Sequence, residues 1–247
     1  MDNPPPPAAL LLWDIDRTLV DCSLVTRGAY DRAFRRITGQ PLGRVSDIAG
    51  ATARHIAVRA LARHRPGTAD ALVRRLLDAV DDELDRLGEE LTAAGRAMPG
   101  AARALTAFAG CPGVRQTVLT GNTRRSAAAK LRAFGLDRYL DLAIGAYGDE
   151  AEERAALLPP ARERARRARG VDCPPARVII VGDTPRDMAV AREHGVRAVG
   201  VACHPADAGG LTAAGADVVL HGLADTDAVL LTFGGLLRQR FAERPSG

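Results

Sequence analysis

Residues 8–16 read AALLLWDID, a short unbroken apolar run that leads straight into two aspartates, Asp14 and Asp16. A run this short, without polar alternation, suits a strand buried on both faces, and such strands belong to parallel sheets covered by helices. Two similar runs follow far downstream, VRQTVL at 114–119 and VIIV at 178–181, with weaker copies at 196–201 and 217–220. Helical periodicity lies between them, as in 124–134 and 188–194. Strand alternating with helix predicts an α/β fold built on a Rossmann-like parallel sheet.

The pattern changes between the first and second runs. Residues 22–95 carry no strand signal but several amphipathic stretches, 24–37, 52–63 and 69–87, separated by turn residues at Gly39-Gln40-Pro41 and Pro66-Gly67. This predicts an all-helical cap domain over 22–95, inserted into a core made of 1–21 and 96–247. Met98-Pro99-Gly100 would mark the return to the core, and residues 1–7 form a proline-rich tail.

Each of the three strongest runs ends in groups suited to phosphate or metal. Asp14 and Asp16 stand at i and i+2, so in an extended chain both carboxylates leave on one side, at the sheet edge where ligands bind. Two anions so close invite a divalent cation or one raised pKa; incidental turn acids at a strand end are the alternative. The third run closes in Val181-Gly182-Asp183-Thr184-Pro185-Arg186-Asp187, where Asp183 or Thr184 could equally be a helix cap before Pro185. Hard oxygen ligands from two strand ends suit Mg²⁺ completed by water and phosphate. The second run ends in Thr120-Gly121-Asn122, followed directly by a helix. Its hydroxyl and exposed N–H groups favour a bound phosphate, and Asn122 as a plain helix cap competes with that reading.

The segments DIDRTLVD (14–21), VLTGN (118–122) and VIIVGDTPRDMAVAREHG (178–195) resemble, in order and spacing, the first, second and fourth motifs of the haloacid dehalogenase superfamily, most closely its phosphoglycolate-phosphatase-like hydrolases. The resemblance covers 10–21 and 114 to about 201. It implies that Asp14 attacks phosphorus and becomes an aspartyl phosphate, and that Asp16 protonates the leaving alcohol and then activates water. Thr120 would hold a phosphate oxygen, and Thr18, Gly121 and Asn122 are the further candidate substrate-binding positions. Asp14, Asp183 and the main-chain carbonyl of Asp16 would ligate Mg²⁺, with Asp187 ordering that site. The implied activity is Mg²⁺-dependent hydrolysis of a small phosphomonoester.

Two positions depart from the pattern or leave it open. The usual glycine after the second acid is Arg17, which would either strain the turn or meet substrate. The third motif needs a lysine or arginine. Lys130 is the only lysine in the chain, but it lies eight residues past Asn122, on the order of 12 Å along a helix. Arg154, in a loop before the helix that Pro159-Pro160 opens, is the favoured candidate.

Related chemistries are weighed against these residues. A haloacid dehalogenase needs only the first acid, and a phosphonate hydrolase needs a cap lysine that is missing here. A sugar phosphomutase shares the motifs, and a binding protein on an inactive scaffold would not need all the acids. The patch Gly50-Ala51-Thr52-Ala53-Arg54-His55 is the candidate for substrate specificity, while His55 and His64 are read as ordinary surface or packing residues.

Composition narrows the field further. The formal charge of +4 is spread along the chain and aromatics are 4%, so no nucleic-acid-binding stripe forms. Cys22, Cys111, Cys173 and Cys203 form no CxxC pair, which argues against zinc and a disulfide framework. Without a signal peptide or a run approaching the roughly 18 apolar residues of a span, the expectation is a cytoplasmic monomer or homodimer with a small phosphorylated substrate, touching neither membrane nor nucleic acid.

Overall fold

The structure, a computed structural model, describes residues 9–46, 48–63 and 69–238. The expected proline-rich tail, the Pro66-Gly67 turn and His64 lie outside these residues. The strands are β1 (Ala9–Trp13), β2 (Val20–Asp21), β3 (Arg96–Ala97), β4 (Val114–Val118), β5 (Val178–Gly182), β6 (Arg197–Val201) and β7 (Val218–Leu220). Five of them make a parallel sheet in the order β4-β1-β5-β6-β7. All five β1 side chains are buried, which is the reason for its uninterrupted apolar sequence.

Helices cover both faces: α1 (Ser23–Thr38), α2 (Ala53–Ala62), α3 (Asp70–Arg86), α4 (Gly88–Ala94), α5 (Ala101–Ala109), α6 (Arg124–Ala133), α7 (Leu158–Arg169), α8 (Pro185–Glu193), α9 (Asp207–Ala213) and α10 (Thr226–Arg238). One face of the sheet packs Leu10 and Leu12 against Leu158, Met188 and Val190. On the other, Trp13 stacks on Phe233 at 5.7 Å between centroids, and Phe108 meets Phe233 at 4.7 Å. The indole N–H, buried there, finds a partner in Gln116 Oε1 at 3.2 Å.

The helical insertion α1–α4 leaves and rejoins the core through two linkers that pair with each other, β2 antiparallel to β3. Its apolar faces, with Ala29, Phe34, Leu76 and Val80, belong to the same hydrophobic cluster as Trp13 and Leu131 of the core. Amphipathic helices must bury one stripe, and these use the core to do it. No helix among the described residues is long and apolar enough to cross a membrane.

Candidate active site

The ends of β1, β4 and β5 meet at one edge of the sheet. The Asp14 N–H donates to Val181 O at 2.8 Å, so parallel pairing carries the chain into the site and fixes Asp14 beside β5. Beyond Gly182 the chain turns into α8, where Asp187 reaches back to take the Thr184 N–H at 3.2 Å and the Thr184 hydroxyl at 2.6 Å. Gly182 has to be small, because a Cβ there would lie 2.2 Å from Asp187 Cγ. Asp14, Asp183 and Asp187 each bring a carboxylate oxygen within 4.8 Å of the others.

Arg154 is the cation buried among these acids, while the more exposed Arg17 reaches Asp183 alone of the three. Arg154, 5% exposed, gives Nη2 to Asp14 Oδ1 at 2.9 Å and to Asp187 Oδ1 at 2.6 Å. It stands in the 3₁₀ turn Arg154–Leu157 just before α7, whose first turn carries Pro159 and Pro160. Two arginines do not offset three acids. Burial first, then Asp14 and Asp187, push Asp183 up to about 8, although Arg17 and Arg154 oppose it. Burial likewise raises Asp14 to about 6, against the pull of Arg154. A carboxyl such as Asp183 that holds its proton at neutral pH, beside an Asp14 also raised, marks a group of ligands in need of a divalent cation. The all-oxygen donor set fits Mg²⁺, and Asp187, already engaged with Thr184 and Arg154, suits an ordering role.

A raised carboxyl pKa has a thermodynamic consequence. The folded protein keeps a proton that the unfolded chain has released, so this stability is full below pH 4 and is lost as pH rises toward about 8. In chelator, the protein is expected to be less stable at pH 8 than at pH 5.5 by about 2 kcal/mol, roughly 4–8 °C in Tm. Mg²⁺ should raise Tm most at pH 8. A Tm in chelator that is flat or rising between the two pH values would contradict the charge balance described here.

Asp16 has different company. Lys130 Nζ donates to Asp16 Oδ1 at 2.7 Å and to Oδ2 at 2.9 Å, and also to Asn122 Oδ1 at 2.7 Å. Asn122 Nδ2 reaches Asp16 Oδ2 at 2.7 Å and Thr120 Oγ1 at 2.8 Å. The structure therefore corrects the distance argument against Lys130. Helical side chains lean toward the N-terminus, and a lysine spans the remaining gap, so Lys130 lies fully buried at the acid. Asn122 is not the helix cap either: Thr123 is, accepting from Ser126 N at 3.1 Å. Asn122 is thus free for Asp16.

Arg17 adopts a φ of +61°, the only positive value outside glycine among the described residues, and this accounts for the glycine expected there. Its Nε lies 3.5 Å from Asp183 and its Nη2 3.6 Å from Asp207. A cavity of about 530 Å³ opens above these groups, bordered by Asp14, Asp16, Arg17, Gly121, Asn122, Arg154 and Asp183 from the core and by Gly50, Ala51 and Ile56 from the insertion.

The remaining candidates divide. Thr18 and Thr120 are fully buried and neither borders the cavity, and the Thr18 hydroxyl has no hydrogen-bond partner among the described residues. Gly121 is where the insertion passes: a Cβ would lie 2.2 Å from Ala51 O. Of the patch 50–55, only Gly50 and Ala51 border the cavity. The rest docks the insertion, with Ala53 N donating to Gly121 O at 2.7 Å, Arg54 N to Gly148 O at 2.9 Å and Thr52 Oγ1 to Glu152 O at 2.8 Å. Asp81 of α3, which accepts from Thr123 and Ser126, adds a buried polar clasp that the sequence did not signal. Burial raises its pKa despite these donors.

Nucleophile-capable acid, second acid and metal-type carboxylates at the edge of a Rossmann-like sheet define a hydrolase site of the haloacid dehalogenase type. Residues 8–195 match the model of the haloacid dehalogenase-like hydrolases, and the chain belongs to that family. Among solved structures, it is similar to a candidate β-phosphoglucomutase from Bacteroides vulgatus, with a TM-score of 0.68 and 16% identity over 96% of this chain and 93% of that one. A hydrolase from Pseudomonas syringae has a TM-score of 0.68 and 22% identity over 91% and 98% of the two chains. CbbY from Rhodobacter sphaeroides, solved in complex with phosphate, has a TM-score of 0.64 and 23% identity over 88% and 96%. At such identities the likeness is one of fold. No curated protein matches the chain in sequence.

Proposed function

We propose that this chain is a Mg²⁺-dependent phosphomonoesterase of the phosphoglycolate-phosphatase-like type, working through a phosphorylated Asp14. The observation that carries this reading is the separation of the two β1 acids by environment. Asp14 sits with Arg154 and the metal-type carboxylates, whereas Asp16 is turned to Lys130 and Asn122. Two carboxylates held in different surroundings suit two different jobs.

In this reading the Asp14 carboxylate attacks phosphorus, and the ester P–O bond breaks as the Asp14–P bond forms. Asp16 gives the departing alcohol oxygen the proton that it took from water in the preceding turnover. It then takes a proton from the water that cleaves the acyl phosphate, so Asp14 returns as carboxylate and phosphate leaves. Lys130 and Asn122 hold the Asp16 side chain between those two transfers. Arg154 would stand against the charge of the phosphoryl oxygens, while Thr120, below the cavity floor, holds Asn122. Asp14, Asp183 and the Asp16 carbonyl would hold Mg²⁺, with Asp187 ordering them; when bound, the ion supplies charge neutralisation at the transferring group.

The purified protein should hydrolyse p-nitrophenyl phosphate with Mg²⁺ and lose that activity in chelator. Asp183→Ala should weaken Mg²⁺ binding at least tenfold by calorimetry. Full activity in chelator would overturn the proposal.

A further inference from the structure

The roof of the cavity has a distinct chemistry. On the insertion side it is walled by Leu42, Val45, Ile48 and Ile56. Ile48 is 47% exposed, one of the few large apolar side chains left open on the described surface, and the space it opens onto is this cavity. Thr26 also borders it, with a hydroxyl that is buried and has no hydrogen-bond partner among the described residues. The polar side chains Ser23, Arg27 and Arg44 along the same border are exposed, so any bond they make to a ligand competes with water.

We infer that the leaving group housed here is an alcohol with an apolar body and few polar substituents, and not a polyhydroxylated sugar. The inference rests on the phosphomonoesterase reading above and narrows it. A sugar ring in this space would set those of its hydroxyls that face Leu42, Val45, Ile48 and Ile56 against hydrocarbon, where they lose water without gaining a partner, and the polar groups elsewhere on the border, Tyr30 among them, do not reach across that wall. An apolar body covers the same wall at no such cost and removes the Ile48 side chain from water. The volume, about 530 Å³, falls in the range of sites that enclose ligands well above the size of a two-carbon acid.

Cyclohexylmethyl phosphate and glucose 6-phosphate form a matched test, both primary alkyl monoesters on a six-membered ring and differing chiefly in ring hydroxyls. With Mg²⁺, kcat/KM should favour cyclohexylmethyl phosphate at least tenfold. Calorimetric Kd values on the Asp14→Asn protein should show the same order. Ile48→Ser, at an exposed position that the fold tolerates, should cut the preference at least threefold. Equal or tighter binding of glucose 6-phosphate, or a preference untouched by Ile48→Ser, would overturn the inference. Should the protein hydrolyse no phosphate ester, the phosphomonoesterase reading fails, and the ratio of Kd values still decides the character of the cavity.

Discussion

Asp14→Asn should leave no measurable turnover and no covalent phosphate after acid quench of a reaction with radiolabelled ester. The substitution keeps the shape of the side chain but replaces an anionic oxygen nucleophile with an amide, and it removes one charge from the Asp14, Asp183 and Asp187 group. The loss should exceed the roughly 10²–10⁴-fold expected for Asp16→Asn, which withdraws only proton transfer. Stability should move the other way. Since Asp14 is already pushed up to about 6 by burial, a neutral side chain suits the metal-free site, and the Tm in chelator at pH 8 should equal or exceed that of the unchanged protein. Residual activity within a hundredfold, or covalent label at wild-type level, would remove Asp14 from its role.

The parts of this site that could be read from sequence are those whose signal is local. Each buried strand announces itself by an apolar run, so β1, β4 and β5 and the acids just past β1 and β5 were legible together. Arg154 was legible because the proline pair marks the helix that follows it. The pairing of β2 with β3 was not, since two-residue strands carry no period. Helix α9 contains Gly209 and Gly210, a poor helical sequence that tertiary contacts override by burying Leu211.

Side-chain reach was misread for a different reason. Sequence distance from Asn122 placed Lys130 outside the site, but the relevant distance runs from its ammonium to Asp16, on a segment more than a hundred residues earlier. The patch 52–55 misled in a related way. Its composition looks free to contact a substrate, yet its first backbone N–H groups are taken by the carbonyls of Gly121 and Gly148. Which unpaired donors of a helix start meet a neighbour is a property of docking, and no local pattern records it.

The two buried cations should therefore differ in what their removal does, and Arg154→Met gives the larger effect. Arg154 is in contact with Asp14 and Asp187, both buried, and its Nη1 also donates to Gly50 O of the insertion at 3.0 Å. Methionine fills much of the space but leaves close carboxylates without a cation. Breaking a buried ion pair costs about 3–5 kcal/mol, and proton uptake by Asp183 and Asp14 would return part of that. At pH 8 in chelator, a loss of roughly 2–4 kcal/mol is expected, and Mg²⁺ should recover much of it because it binds only the folded protein. Catalysis should fall about 10³-fold, the scale of losing one preorganised charge at a reacting group. Lys130→Met, by contrast, strands the neutral Asn122 Oδ1 and a single acid, Asp16, whose side chain is 36% exposed and keeps Asn122 as a donor. Water can take the place of the ammonium there, so the melting temperature should drop by only a few degrees and turnover by about 10- to 100-fold. Denaturant unfolding with and without Mg²⁺, beside steady-state rates for both variants, measures the contrast. A Lys130→Met protein that is the less stable and less active of the two, with no Mg²⁺-dependent recovery in Arg154→Met, would transfer the central electrostatic role from Arg154 to Lys130.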